Sequence, residues 1–403
     1  MYIADFVFTF AKIILMKNIT GPPVQGENFF GREDEFDYVW KRIEDGNNVI
    51  FPSPRRVGKT SFALKLVDKA KKEGWNIISI NLEKVSTEHD FIEMFIDKLK
   101  EQSWWESAKE KGSAFIEFFK QLKPSVSYGG ASLELDWKSS KENIYKKLSE
   151  LLNHDEKTLI FLDELTVLLT SIIKSGEGGE KDVKDFLHWL RDIRITPDSN
   201  IRWIYCSSVG IENFTHKYGI SDTINDVTDY NLKSYSREQS IAMLKQLGET
   251  NDLKLSDEIL KSIVTYLDYC LPFFLQIIFE KINYLSKIEN ITLNNDIVDI
   301  AYKSLIEEKH FNTWVERIIE QYGDNKDYAF LILKHICQEK KGSRRGLLID
   351  ILASAGLNNN KAEDITALLI YMLKNDGYLI EESNLYRFRS PLLRDFWFNR
   401  FIK

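Results

Sequence analysis

The pattern of apolar and polar positions changes character twice along the chain. In the first half, β-branched or apolar runs stand at residues 48–51, 76–80, 158–162 and 202–205. Unbroken rather than alternating runs predict strands of a parallel sheet covered on both faces. Between them, apolar residues recur at helical spacing over 61–73, 90–102, 141–153 and 181–193. Strand–helix alternation predicts an α/β layer joined by right-handed crossovers. The stretch between the second and third runs is longer than one crossover requires. Residues from about 88 to 140 hold an aromatic-rich helix (Phe91, Phe95, Trp104, Trp105). Beyond it, Val126 and Tyr128 precede Gly129-Gly130, and Leu133, Leu135 and Trp137 alternate afterwards, the pattern of an inserted β-hairpin.

After Leu232 the strand pattern stops. Ser236-x-x-Gln239 predicts a capping box that opens a helix through Leu247, and helical spacing continues to about Glu308. From about Asp324 three amphipathic helices are predicted. They are followed by apolar runs at 377–380 and 386–389 around the polar turn 381–384, which is winged-helix organisation. The expected division is an N-terminal extension (1–20), an α/β core (21–232), a helical lid (233–323) and a winged-helix domain (324–403). A chain of 403 residues, 43% hydrophobic and 29% charged, fits two or three ordinary globular domains.

Charge and cysteine usage narrow the function classes. Lys and Arg number 54 against 61 Asp and Glu, for a net charge of −7, which argues against a protein coated by nucleic acid and against a polybasic membrane-surface protein. Cys206, Cys270 and Cys337 lie far apart in apolar stretches without metal-ligand spacing. Zinc is therefore not expected, and reduced thiols in a cytoplasmic protein are. The Asn-x-Thr tripeptides at Asn18, Asn213 and Asn290 then carry no meaning. Residues 1–15 are apolar but interrupted by Asp5 and Lys12, too short to span a bilayer, and without the positive start of a signal peptide. They read as an added segment, with an amphipathic docking helix as the alternative.

The candidate chemistry sits at strand ends. Ser53-Pro54-Arg55-Arg56-Val57-Gly58-Lys59-Thr60 follows the first strand and opens a helix, matching a P-loop in which Ser53 stands for the first glycine. Gly58 lets the backbone approach phosphates at a positive helix N-terminus. Lys59 can reach the β- and γ-phosphates, and the Thr60 hydroxyl can ligate Mg²⁺. Asp163-Glu164 ends the third apolar run, at the sheet edge that faces a ligand crevice. Asp163 would complete the Mg²⁺ shell and Glu164 would act as general base on an attacking water. At the end of the fourth strand, Ser207, with Ser208 as alternate, is expected near the γ-phosphate, through a contact that a short side chain can bridge by water.

Taken together, Phe29-Phe30-Gly31-Arg32-Glu33, the segment from Pro54 through Thr60 to Ser61, and the closing Phe388-Arg389-Ser390-Pro391-Leu392-Leu393-Arg394-Asp395-Phe396-Trp397 resemble the archaeal-type ATPases of the STAND branch of AAA+-like P-loop proteins, relatives of the origin-recognition ATPases. The resemblance runs from about Gly21 to Phe401. It implies an α/β P-loop NTPase core with a helical lid and a winged helix, ATP/ADP with Mg²⁺ as cofactors, and Phe30, Gly31 and Arg32 passing near the adenine. The family's Gly-Ser at the fourth strand is Cys206-Ser207 here, and its base-contacting Gly-x-Pro in the lid is Cys270-Leu271-Pro272. These departures, with Ser53, imply slow hydrolysis rather than a fast motor. Arg191 and Arg194 stand where an arginine could act across a subunit interface, with surface ion pairing as the plainer reading.

Three functions follow. The first is an ATP-dependent switch whose nucleotide state sets lid and winged-helix position for a protein partner or self-association, a role the resemblance places in prokaryotic stress response or defence. The second is a DNA-binding loader or initiator, acting through the basic cluster Lys340-Lys341-Gly342-Ser343-Arg344-Arg345. From Asp324 to Lys403 thirteen basic residues face ten acidic ones, a thin footprint for duplex binding. The third is a scaffold that holds ATP without hydrolysing it. The aromatic tail (Phe388, Phe396, Trp397, Phe398, Phe401) is expected to be core packing against the lid.

Overall fold

A computed structural model describes residues 16–52, 55–102, 105, 137–176, 178–207 and 210–403. The segment 1–15, Ser53, Pro54, Trp104, Ser208 and the expected hairpin from Val126 to Leu135 lie outside the described residues. The chain forms two compact units, one built from residues 32–233 and 311–403, the other from residues up to Gly31 and 234–310.

The larger unit is organised on a five-stranded sheet. Its strands are β1 (Asn48–Phe51), β2 (Asn76–Asn81), β3 (Thr158–Asp163), β4 (Ile201–Cys206) and β5 (Val227–Asp229), in the order β2-β3-β4-β1-β5. Every pairing is parallel, with Ile78 beside Ile160, Phe161 beside Ile204 and Ile50 beside Tyr205. All residues of β1 and β3 are buried, as unbroken apolar runs require. The fifth strand went unforeseen because it is three residues long and supplies one buried apolar side chain, Val227. Its alignment rests on backbone pairing to Asn48–Ile50.

Helices α1 (Glu33–Glu44), α2 (Lys59–Lys72), α3 (Glu88–Lys100), α4 (Trp137–Leu152), α5 (Leu165–Lys174), α6 (Gly179–Arg194) and α7 (Ile211–Lys217) accompany the sheet. Helix α3 begins at a capping box between Thr87 and Asp90 and buries Phe91 and Phe95 against Phe186, Trp189 and Trp203. That helix is thus part of the core layer. Trp137, expected in the hairpin's second arm, instead opens α4.

The smaller unit holds α8 (Arg237–Thr250), α9 (Asp257–Leu267), α10 (Pro272–Lys287) and α11 (Asn295–Glu307). The expected capping box starts α8: Gln239 N donates to Ser236 Oγ at 3.1 Å, and Ser236 N donates to Gln239 Oε1 at 2.9 Å. Met16 is buried and Asn18 Nδ2 donates to the Gln276 carbonyl at 3.2 Å, so the start of the described chain belongs to this unit.

The last part of the larger unit runs α12 (Asn312–Gln321), α13 (Lys326–Ile336), α14 (Arg345–Ser354) and α15 (Asn359–Asn375). Strands β6 (Leu379–Glu382) and β7 (Leu385–Phe388) and helix α16 (Pro391–Phe401) follow. Ser383 and Asn384 turn the antiparallel hairpin with both φ positive, the backbone that matches strand twist. Trp397 is buried among Phe330, Tyr378, Phe388 and Phe396, and Phe396 meets Phe311. Phe388, Phe396 and Trp397 are thus core as expected, but their ring partners belong to the larger unit rather than to the lid helices, and Phe398 is exposed.

Candidate nucleotide site

Helix α2 follows β1 after a short connection, whose described residues next to the helix include two in left-handed backbone. Gly58 has φ +96°, and nothing lies within 4 Å of where its Cβ would be. The glycine is thus required by backbone conformation, not by space. No side chain caps α2, so the first-turn amides point toward whatever sits before the helix. Arg56 also has positive φ, at +68°, and Val57 is fully buried. Arg32 braces this turn: its Nη2 donates to the Val57 carbonyl at 3.2 Å and to the Lys233 carbonyl at 2.7 Å, while Nη1 pairs with Glu35 at 2.9 Å. The sequence suggests Arg32 for the adenine side, and the structure commits its guanidinium to holding the loop.

The sheet order carries the second half of the site to the first. Strand β4 lies between β1 and β3, and the carboxyl ends of all three align at Phe51, Cys206 and Asp163. Thr60 Oγ1 donates to Asp163 Oδ2 at 3.1 Å, and the Glu164 amide donates to Asp163 Oδ1 at 3.1 Å. Burial lifts the Asp163 carboxyl to about 6, with Glu164 adding to the rise and Thr60 and Lys59 opposing it. Lys59 and Ser61 are buried in the first turn of α2. Burial pushes the Lys59 ammonium down to about 8; Cys206 and Glu164 counter this, while Arg317 and Arg55 add to it. Glu164 sits at φ +59° as the residue preceding α5, and its charge acts on Lys59, Arg55 and Asp163. A hydroxyl and a carboxylate side by side are oxygen donors of the kind Mg²⁺ takes from a protein, the remaining positions going to water and phosphate.

Ser207 is buried just past β4, hydrogen-bonded through Oγ to Thr166 Oγ1 in the first turn of α5. Sequence reasoning missed Thr166; its one signal was a hydroxyl two residues after Glu164. Arg194 is not available to a neighbouring subunit. Its Nε and Nη2 pair with Asp226 at 2.7 and 2.9 Å, Nη2 also donates to the Thr223 carbonyl at 2.5 Å, and Nη1 donates to Tyr205 Oη at 3.1 Å. Arg191 Nε lies 3.7 Å from the same carboxylate.

The smaller unit gathers the other expected residues around one that was missed. Tyr235 donates from its hydroxyl to the Phe30 carbonyl at 2.6 Å and from its amide to the Cys270 carbonyl at 2.9 Å. Its ring meets Phe30 edge-on at 6.0 Å. Gly31 has φ +63°, and Pro272 is the first residue of α10, where a proline costs no hydrogen bond. The segments expected on the base side, at Phe30-Gly31 and Cys270-Leu271-Pro272, are therefore held together.

A parallel sheet in this strand order, with a P-loop after β1 and an acidic pair after β3, defines an AAA+-like P-loop NTPase fold followed by a helical C-terminal region. No protein-family model and no curated protein sequence matches the chain. Among solved structures it is similar to the Walker-type ATPase Paby2304 of Pyrococcus abyssi, at 17% identity over 94% of this chain and 99% of that one, with a TM-score of 0.62. It is also similar to the ORC2 protein of Aeropyrum pernix in its ADPNP-ADP complexes, at 15% identity, 96% and 97% coverage, and a TM-score of 0.53. At these identities the likeness defines the fold.

Proposed function

We propose that the chain is a slow, Mg²⁺-dependent ATPase that works as a switch, its nucleotide state governing the helical and C-terminal parts and so the binding of a protein partner. The observation that carries this reading is the Thr60–Asp163 hydrogen bond at 3.1 Å, which joins the P-loop helix to the acidic strand end. Bound Mg²⁺ would neutralise phosphate charge beside Thr60 and Asp163. Lys59, Gly58 and the amides that follow would hold the phosphates, and Glu164 would take the proton of the attacking water. Ser207, spent on Thr166, would act by fixing the start of α5 rather than by direct contact. The C-terminal part reads as a winged helix, and the hydrogen bond from Asn375 Nδ2 to Asn213 Oδ1 at 2.9 Å supports its coupling to α7, the helix that follows β4. The base-side role of Phe30, Gly31 and Pro272 is part of the same proposal.

A protein partner is favoured over DNA by the face of α15, which exposes Glu363, Asp364, Leu368 and Tyr371. Two carboxylates on that face repel phosphate. One observation supports the DNA reading: Lys340, Lys341, Arg344 and Arg345 are all exposed, on a loop pinned where Ser343 exchanges two 2.9 Å backbone hydrogen bonds with Tyr386. Gly342 serves that pin, since a Cβ there would lie 2.7 Å from the Tyr386 carbonyl. No helix among the described residues is long and apolar enough to cross a membrane, and three buried free cysteines support a cytoplasmic setting.

The test is ATP turnover by wild type beside Lys59→Ala, with and without duplex DNA. Turnover lost in Lys59→Ala and indifferent to DNA supports the switch. Stimulation of several-fold by DNA, lost on neutralising residues 340–345, moves the loader reading to first place. ATP bound without turnover leaves the scaffold reading and removes Glu164 as a base.

A further inference from the structure

Helix α15 buries one side, through Ala362, Thr366, Leu369, Ile370 and Leu373, and turns the other to solvent. Asn360, Asp364, Ala367, Leu368 and Tyr371 are all exposed, and their spacing of three and four residues sets them in one stripe. Leu368 is 40% and Tyr371 43% exposed, so the centre of the stripe is apolar. Charge is unevenly placed along it. The N-terminal end carries Asp364, with Lys361 on one flank and, on the other, Glu363 at 3.6 Å from Arg345. The C-terminal end meets α7, where the His216 ring lies 6.5 Å from the Tyr371 ring and His216 and Lys217 are both exposed. The hydrogen bond from Asn375 Nδ2 to Asn213 Oδ1 at 2.9 Å holds the two helices in that position. An acid at one end, basic groups at the other and an apolar centre make a face that complements itself when turned through a half-circle.

We propose that α15 is the contact of a two-fold dimer, in which the same helix of a second copy of this chain lies antiparallel across it. The proposal rests on the protein-partner reading of this face and names the partner. In an antiparallel pair centred between Ala367 and Leu368, Asp364 stands opposite Tyr371 of the partner subunit. That hydroxyl can donate to the carboxylate, with the partner's His216 and the partner's Lys217 beside it. Ala367 is small and sits at the crossing, where it lets the two backbones approach and gives Leu368 of the partner subunit a seat. A second copy supplies both matching charges at the required separation, because the spacing within one copy sets the spacing within the other. Asp364 to Tyr371 is about 10 Å of helix. The contact is thus at the small end of specific interfaces, and the expected dissociation constant is on the order of 1–100 μM.

Sedimentation velocity of the full, nucleotide-free chain from about 1 to 200 μM decides it. Wild type is expected to pass from monomer to dimer over that range. Leu368→Glu puts a carboxylate at the crossing and should leave a monomer of unchanged melting temperature, since residue 368 is exposed in the single copy. Asp364→Lys and His216→Glu each set like charges opposite one another and should weaken the dimer about tenfold or more. Combined in one chain they restore opposite charges, and association should return to within about threefold of wild type. A chain that stays monomeric throughout, a dimer that survives Leu368→Glu, or a double variant no better than the single ones would each overturn the proposal. Failure of the parent reading looks different: duplex DNA bound by wild type and released by Leu368→Glu would make the same face a nucleic-acid surface, whatever the sedimentation shows.

Discussion

Of the three arginines buried among the described residues of the larger unit, Arg194 and Arg317 have opposite surroundings. Arg194, at the end of α6, has its charge matched by Asp226 and its remaining donors taken by the Thr223 carbonyl and the Tyr205 hydroxyl. Burial works against that charge, yet Tyr205 and Asp226 carry it above its ordinary value. Arg317 has one side-chain acceptor, Gln321, and cations within electrostatic reach. The same side chain therefore meets two fates. Where its donors are matched, it is a rivet that holds the segment before β5 to β4; where donors are left over, the charge has no acceptor for them among the described residues. Burial alone does not tell a matched charge from an unmatched one, whereas the accounting of hydrogen bonds does.

The contrast can be broken most forcefully at the rivet. Arg194→Met leaves Asp226 without its partner and should cost about 3–5 kcal/mol in urea unfolding, against a gain for Arg317→Met. Equal and opposite signs in one assay are the sharpest form of the comparison. Next in size, Glu164→Gln should lower turnover about 10²- to 10⁴-fold while Mg²⁺-dependent ATP binding persists. Single-turnover kinetics beside calorimetry would separate the two. Tyr322→Phe should cost about 1–3 kcal/mol, because Asp376 Oδ1 already makes no hydrogen bond and Oδ2 then loses its donor. Chemical denaturation measures that loss.

The smallest effect concerns a buried acid. Glu88 pairs with Lys141 at 2.9 Å, and burial lifts its carboxyl to about 7. The folded state then holds this proton more tightly than the unfolded chain does. Its contribution to stability is complete below the ordinary carboxylate range and is lost as pH rises through about 7. Wild type should melt a few degrees lower at pH 8 than at pH 6 relative to Glu88→Gln, in which this dependence is flat.

The sheet was legible because its strands are buried on both faces. Apolar runs leave no other arrangement once helices alternate with them. Strand β5 was not, since Val227–Asp229 is specified by the edge of β1 and by Asp226 beneath it rather than by its own composition. That Lys59, Thr60, Asp163 and Glu164 come together was legible because each stands just past an apolar run, at the carboxyl edge of a parallel sheet. Thr166 and Tyr235 were not, nor was the contact by which Arg32 holds Val57, because such partners are chosen by three-dimensional proximity. Arg317 left a faint trace, a charge three residues after Trp314 on an apolar stripe. Arg194 shows why that trace is insufficient, for it too lies on the buried face of an amphipathic helix.

The larger unit is also discontinuous, with residues 234–310 of the other unit intervening between its halves. On the ribosome this imposes an order of events. The sheet and its P-loop are synthesised by Asp229, but α12 and Trp397 emerge only after the smaller unit has been made. At roughly 5–20 residues per second, α12 follows Asp229 by on the order of five to twenty seconds, and Trp397 later still. A nascent chain in that interval carries the phosphate loop without α12 and without the aromatic cluster that seats the last helix. Nascent-chain arrest before and after α12 would show at which moment the emerging larger unit becomes resistant to proteolysis.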